Sequence, residues 1–384
     1  MRIVYITYDD VSSNFAWSTH VKSIINRLCN KGHKILLIAP VPKYFVQISA
    51  DFYYWKKPNN IICKILWYYF TSLFCFIREI NKFKAEVIYI RGAHITVIPI
   101  IAALYLRLPI IVEINGLVHF EIKSKTLKLI SKITQNIYFR FCSKIITVSD
   151  TFKKGISKYF GASFEKITVI ENGVDLSVFK PMDNYSAKKL IGWSTQKTYG
   201  LFIGSFYKHH YLQLIVNSVK YLDATNMEIC FIGDGSERLT IEKLASKNSD
   251  RIKLTFLGEV KHEEIPIYIA SSDFCLLILK KTYSYYGPST VKLFEYMACN
   301  KHIICATDIP EVFNFVNDNK VGNAIKITNN FESDSKNLAA LIKTRDVEKE
   351  NKPVNYARTL CEKYFNWDRA CDDVERELIN AAKK

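Results

Sequence analysis

The feature that most constrains this chain is a series of short, continuously apolar, β-branched segments separated by stretches of helix length. "RIVYITY" (2–8) leads into the amphipathic "STHVKSIINRLCNKGH" (18–33), which stops at Gly32, and then into "KILLIAP" (34–40). The alternation returns with "AEVIYIR" (85–91), a helix over 95–106, "PIIVEIN" (109–115), a basic helix over 123–140, "KIITVSD" (144–150) and "KITVIENG" (166–173). Strands that are apolar on both faces belong in parallel sheets covered on both sides. After the polar bridge "GVDLSVFKPMDNYSAKK" the pattern restarts: "GLFIGSF" (200–206), "MEICFIGDG" (227–235), "IKLTFLGEV" (252–260), "DFCLLIL" (273–279) and "HIICATD" (302–308). The fold class is therefore α/β, with two doubly wound, Rossmann-like parallel-sheet domains expected to face each other across a cleft. The boundary falls between 177 and 178. Ligands of such sheets bind outside the carboxyl ends of the strands.

Length agrees, since 384 residues exceed one ordinary core. The 49% hydrophobic and 23% charged content excludes a disordered chain. The net charge of +16 is lopsided: residues 1–177 carry 24 Lys and Arg against 11 Asp and Glu, and the remainder carries 29 against 26. An anionic partner should therefore meet the first half. The ten cysteines include no CxxC and read as buried thiols in a reducing compartment. "MRIVYITYDD" reaches two acids before any signal-peptide core could form, so a cytoplasmic location is expected. "IICKILWYYFTSLFCFI" (61–77) is short for a membrane span and contains Lys64, which favours a buried or surface-lying helix.

Chemistry is expected first in "YYGPSTVKLFEYMACNKHII" (285–304), where Glu295 interrupts an apolar run and Lys292 precedes it by one helical turn. An unsatisfied buried carboxylate costs several kcal/mol, about the size of a domain's margin of stability. Gly287 and Pro288 can open the helix, with Ser289 or Thr290 as cap. Free N–H groups at that end, Lys292 beside them and Glu295 on the same face describe a site for a sugar and a phosphate. The plain alternative is a Lys292–Glu295 pair at the domain surface. Other strand ends bring Ser205, Lys208, His209 and His210, the turn Gly233-Asp234-Gly235, and Glu113, Asn115 and His119. No GxGxxG, GxxxxGK[ST] or nucleophile elbow occurs, which counts against a dehydrogenase or a P-loop enzyme.

"ENGVDLSVFKP" (171–181), "CFIGDGSERL" (230–239), "FLGEV" with "IASSDFCLLIL" (256–279) and "VKLFEYMACNKHII" (291–304) resemble the family 4 retaining glycosyltransferases of the GT-B fold. The resemblance implies that 1–177 binds the acceptor and 178–365 the nucleotide sugar. Residues 366–384 would form a closing helix that returns to the first domain. Glu295 matches the family's ribose-binding glutamate, while the partner glutamate eight residues earlier is replaced by Gly287. Lys292 would face the diphosphate. The family's Arg and Lys after the first donor-domain strand fall on Ser205 and His210, so His210 would have to replace a lysine. A catalytic-domain histidine falls on Asn115, and the family's N-terminal glycine pair is absent from "DDVSSNFAWST".

The expected function is transfer of a sugar from a nucleotide-diphosphate sugar to a lipid-linked or saccharide acceptor in cell-surface polysaccharide synthesis, with retention. Lys292, His210 and Asn115 are the candidate catalytic residues. Glu295, Gly287, Pro288, Ser289, Thr290, Ser205, Gly233 and Asp234 are the candidate donor contacts. No cofactor and no metal are expected, because no Asp-x-Asp stands at a strand end. Nucleic acid is not an expected partner, since the basic residues follow no recognised module. A GT-B enzyme of other chemistry, an epimerase or a phosphorylase, and a non-catalytic basic membrane protein stay as alternatives. Residues 42–85 hold seven Lys and Arg, two acids and thirteen aromatics. That composition points to docking on an anionic inner membrane surface through Trp55, Lys56, Lys57, Lys64, Trp67 and Lys82.

Overall fold

A computed structural model of the 384-residue chain describes residues 1–12, 16–55, 62–92, 96–116, 122, 124–223, 226–248, 252–281, 291–328, 330–344 and 356–383; side chains at 16, 17, 55 and 62–72 are not described. The described residues divide into two compact units, 1–172 with 367–383, and 173–281 with 291–366.

In the first unit β1 (Arg2–Thr7), β2 (Lys34–Pro40), β3 (Asp51–Trp55), β4 (Val87–Arg91), β5 (Ile110–Ile114), β6 (Lys144–Thr147) and β7 (Ile167–Val169) form one sheet. Their order is β3-β2-β1-β4-β5-β6-β7, with every pairing parallel. Helices α1 (Ala16–Asn30), α2 (Ile62–Phe83), α3 (Ile98–Tyr105), α4 (Lys125–Phe141) and α5 (Asp150–Phe160) make the crossovers. Side chains of α1 and of a C-terminal helix, Trp367–Ala382, pack on one face, where Val21, Ile24, Trp367 and Val374 meet Ile3, Tyr5 and Ile35. On the other face α2 to α5 bring Phe76, Ile80, Ile100, Tyr138, Phe139 and Phe152 against Val4, Ile88 and Val112. Ser149 caps α5 by accepting from Phe152 N at 3.2 Å, and Gly161 ends it with φ 66°. Such an N-cap contributes about 1 kcal/mol.

The second unit contains α6 (Asn184–Leu190), β8 (Thr198–Ile203), α7 (Gln213–Ser218), β9 (Met227–Ile232), α8 (Arg238–Ser246), β10 (Lys253–Gly258) and α9 (Ile265–Ser271). It continues with β11 (Phe274–Leu279), α10 (Val291–Ala298), β12 (Ile303–Thr307), α11 (Pro310–Asp318), β13 (Gly322–Lys326), α12 (Phe331–Lys343) and α13 (Tyr356–Tyr364). The C-terminal Trp367–Ala382 helix is α14. The six strands are ordered β10-β9-β8-β11-β12-β13, all parallel. Two edge strands, β3 ("DFYYW") and β13 ("GNAIK"), add to the expected set. Part of the aromatic segment assigned to a membrane surface is therefore sheet edge: Phe52 and Tyr53 lean on the two cores. Lys56 and Lys57, and the side chains of Trp55, Lys64 and Trp67, lie outside what is described. Among the described residues no helix is long and apolar enough to cross a membrane.

Among the described cysteines Cys142, Cys230, Cys275, Cys299, Cys305, Cys361 and Cys371 are buried and free, as expected, whereas Cys29 and Cys75 are free and only half-buried. Burial pushes the Cys230 and Cys275 thiols up to about 12, so they stay protonated.

Candidate functional site

Each sheet changes direction once, β1 to β4 in the first unit and β8 to β11 in the second, so each has a crevice-forming switch point. Two polar clusters are described here, one per unit.

In the second unit, Glu295 lies on α10 and is 2% exposed. Lys292, three residues earlier on the same face, donates from Nζ to Oε2 at 2.7 Å. His262, at the start of the short turn after β10, places Nε2 3.5 Å from Oε1, and its ring lies edge-on to Phe179. Burial alone would raise the Glu295 pKa. The Lys292 ammonium, then His262, outweigh it and hold the carboxyl below its usual range. Glu295 is therefore ionised and buried; the pair with Lys292 that the plain alternative described is present, with the lysine partly exposed and the carboxylate inside. His262 escaped the sequence reading because nothing local links it to a residue 33 positions away. Gly287, Pro288, Ser289 and Thr290 lie outside the described residues.

Next to β8, Gly204 and Ser205 lead into a short turn, Lys208–His210. The His210 ring stands edge-on to Phe202 at 5.4 Å and to His209 at 4.3 Å. Its Nδ1 is buried without a hydrogen-bond partner, and a Cβ at Gly204 would fall 2.5 Å from the ring. Burial pushes His210 down to about 3, with His209 adding to the effect, and pushes His209 down to about 4. At neutral pH the ring therefore carries no charge here, so His210 would meet a phosphate as a hydrogen-bond donor and not as a lysine-like cation. Gly233 has φ 135°, and a Cβ there would sit 1.9 Å from Gly204 O, so only glycine lets these two strand ends meet. Asp234 accepts from Gly235 N at 2.6 Å and from the Arg238 guanidinium at 3.1 Å.

In the first unit, register builds the second cluster. Thr7 pairs with Arg91, and Arg91 with Glu113, across three adjacent strand ends. Glu113 is 1% exposed and receives four groups. Tyr89 OH donates to Oε2 and Asn115 Nδ2 to Oε1, both at 2.6 Å; His20 Nε2 lies 3.0 Å from Oε1, and Arg91 Nε lies 3.4 Å from it. The His20 Nδ1 lies 2.7 Å from Asn172 Oδ1, and Arg91 donates onward to Asp9 at 2.5 Å. Burial would raise the Glu113 pKa, but His20 first, then Arg91 and Tyr89, bring it down to about 2. Asn115 Oδ1 and the Tyr5 hydroxyl are buried without a hydrogen-bond partner. Sequence reasoning named Glu113 and Asn115 but missed His20, Arg91, Asp9 and Asn172. His119 lies outside the described residues.

Among the described residues no group of three or more His, Cys, Asp and Glu could hold a metal ion.

Residues 18–178 match the family model described as Glycosyltransferase Family 4, and residues 186–360 the one described as Glycosyl transferases group 1. The chain is 29% identical over 190 residues to the O-antigen chain mannosyltransferase RfbU of Salmonella typhimurium, covering 46% of this chain and 47% of that protein. It thus spans less than half the length of the curated relatives it matches. Among solved structures it is similar to sucrose-phosphate synthase from Thermosynechococcus elongatus, at TM-score 0.76, 16% identity and 99% coverage of both chains. Anabaena HepE in complex with UDP-glucose gives TM-score 0.76 at 16% identity, covering 99% of this chain and 100% of that one. At such identities the likeness is one of fold.

Proposed function

The chain belongs to glycosyltransferase family 4, with the two parallel-sheet α/β domains of the GT-B fold, and from that premise we propose that it is a sugar transferase of cell-surface polysaccharide synthesis. The donor is a nucleoside-diphosphate sugar and the acceptor a saccharide carried on a lipid. The observation that carries this reading is the buried Glu295 carboxylate, held ionised by Lys292 at 2.7 Å and by His262. A cation and a fixed acceptor on one helical turn suit a ligand that combines phosphate with vicinal hydroxyls. The UDP-glucose bound by HepE and the O-antigen role of RfbU support the same classes of donor and product.

The chemical problem is charge on the departing nucleoside diphosphate. As the glycosidic bond breaks, the bonding electrons stay with the β-phosphate oxygen. Lys292, already held in place by Glu295, stabilises that developing negative charge, and losing one such donor typically costs about a hundredfold in rate. Glu295 takes the ribose hydroxyls through the lone pairs that Lys292 and His262 leave open. In the first unit, Asn115 offers its unpartnered Oδ1 to a sugar hydroxyl, oriented by Glu113 through Nδ2. Retention of anomeric configuration and a reaction without metal are part of the same proposal, the first supported by the family match.

The test is transfer itself: a panel of UDP-, GDP-, ADP- and dTDP-sugars is screened by thermal shift, and the stabilising donor is assayed with lipid-linked acceptors. A donor at a hundred times its Kd stabilises by about 2.7 kcal/mol. Donor hydrolysis without transfer, or turnover that requires inorganic phosphate, would replace the reading with epimerase or phosphorylase chemistry.

A further inference from the structure

A histidine on the inward row of a helix is ordinarily a packed, satisfied core residue, and His20 has that setting. It lies on α1 one turn before Ile24 and two before Leu28, both buried, and is itself 7% exposed. The Trp367 ring of α14 meets it edge-on at 5.1 Å. Its attachment at both ring nitrogens goes beyond packing. Nδ1 lies 2.7 Å from Asn172 Oδ1, and Nε2 lies 3.0 and 3.1 Å from the two oxygens of Glu113. One ring thus joins α1, the end of β5 and the segment that follows β7.

The near-equal distances to Glu113 give His20 a particular effect. Tyr89 OH binds Oε2 and Asn115 Nδ2 binds Oε1, both at 2.6 Å, and neither fixes the plane of the carboxylate by itself. A group centred between the oxygens does, because turning the carboxylate lengthens one of the two His20 contacts. Glu113 in turn selects the rotamer of Asn115. A spacing of two along β5 puts both side chains on one side of the strand. Glu113, brought down to about 2, is ionised, and an ionised carboxylate only accepts hydrogen bonds. It can face the amide only through Nδ2, so Oδ1 is turned the other way. From the interior outwards the order is Asn172, His20, Glu113 and then Asn115, which is half-buried just past the strand end.

We propose that His20, held by Asn172, is a positioning residue for sugar transfer, acting through Glu113 to aim Asn115 Oδ1 at the acceptor hydroxyl. The inference rests on the role given to Asn115 above and adds the residues that decide its orientation. His20 itself touches neither substrate. An amide oxygen accepts from a hydroxyl without taking its proton, so the effect is one of orientation. Misplacing a reacting group by about 1 Å costs up to about a hundredfold in rate.

Two measurements on the full chain separate the positioning from the reaction. The first follows the side-chain amide of Asn115, identified as the NH₂ signal lost in Asn115→Ala, by NMR without substrates. In His20→Ala, where Glu113 keeps Arg91, Tyr89 and Asn115, the signal should move from its wild-type position. Asn172→Ala, which leaves every partner of Glu113 in place, should move it less and in the same direction. His20→Gln still donates to Glu113 and should largely restore it. The second measurement is turnover. His20→Ala should lower kcat about tenfold to a hundredfold and leave the thermal shift with the donor unchanged. The double variant of His20→Ala with Asn115→Ala should be no slower than Asn115→Ala alone, because His20 then has nothing left to position. An unchanged Asn115 signal in both His20→Ala and Asn172→Ala overturns the proposal whatever the activity. So do losses that multiply in the double variant, which would make His20 independent of Asn115. Wild-type turnover in Asn115→Ala overturns the role of Asn115, and the catalytic half of the proposal with it, even where the signal moves.

Discussion

Lys292 and Glu295 form a 2.7 Å ion pair in which the carboxylate is almost wholly buried and the ammonium is about a quarter exposed. The pair is lopsided: one partner is committed to the interior while the other still reaches solvent. An anion arriving from solvent therefore meets the ammonium first. The carboxylate behind it holds the ammonium in place.

Glu295→Gln should fold, because the amide keeps the shape and still accepts from Lys292. Donor affinity should fall about tenfold, the usual cost of one hydrogen bond to a charged group. Lys292→Ala should lower turnover about a hundredfold. It should also cost stability, because the buried carboxylate then keeps only His262. Donor titration by calorimetry and single-turnover transfer read the two effects separately. Full activity in both variants would move the donor site elsewhere.

The first-unit network predicts a different pattern. Glu113→Gln leaves His20 and Arg91 facing a neutral amide in the interior and should destabilise by about 3–5 kcal/mol. Asn115→Ala removes one donor to Glu113 and leaves His20, Arg91 and Tyr89 in place, so it should cost about 1.5–3 kcal/mol, less than Glu113→Gln, while losing transfer. Chemical denaturation of the two variants, run beside transfer assays, checks the contrast. Equal destabilisation of both would make Asn115 a structural residue.

Acid stability should depend on the His209–His210 pair. Both are held neutral by burial, at about 4 and about 3, whereas the unfolded chain titrates near 6.5. The unfolded state then binds more protons as the pH falls below 6.5, so stability is complete above that value. It declines on acidification by up to about 1.4 kcal/mol per pH unit for each ring. Glu113 and Glu295, both shifted down, weaken the fold only below about 4.5, the opposite end of the acid range. Urea midpoints at pH 7.5, 6 and 5 should therefore fall for wild type and flatten in His210→Phe. An unchanged slope in that variant would contradict the buried, neutral assignment.

Transfer should persist in excess EDTA, with no gain from Mn²⁺ or Mg²⁺. Activity abolished by the chelator and restored by either ion would reverse the metal-independent reading.

The elements of both sheets were legible because strands buried on both faces leave unbroken apolar runs, as in "KILLIAP" and "DFCLLIL". The edge strands β3 and β13 were not. An edge strand has one neighbour and a partly exposed face, so "GNAIK" carries too little apolar pattern to announce itself. The Lys292–Glu295 pair was readable from spacing, since residues three apart on a helix must be neighbours. The partners of Glu113 were not, because His20 reaches it from 93 positions away and is itself held by Asn172, 152 positions from that ring, and no local rule joins them.

What the sequence by itself determined is therefore whatever periodicity and short-range geometry dictate: alternating strands and helices, parallel sheets covered on both faces, and one cation a turn before one carboxylate. Tertiary structure alone decided which side of each helix turned inward and which charges survived burial. The pattern of α4 fits either orientation, and only packing against the sheet put Ser131 and Gln135 inside and Leu129 outside. His210 has the composition of a charged phosphate ligand, yet desolvation beside Phe202 leaves it neutral. In both cases the physical reason is the same. A side chain's polarity is written in the sequence, but the dielectric around it and the partners within reach exist only once strand order has brought distant segments together.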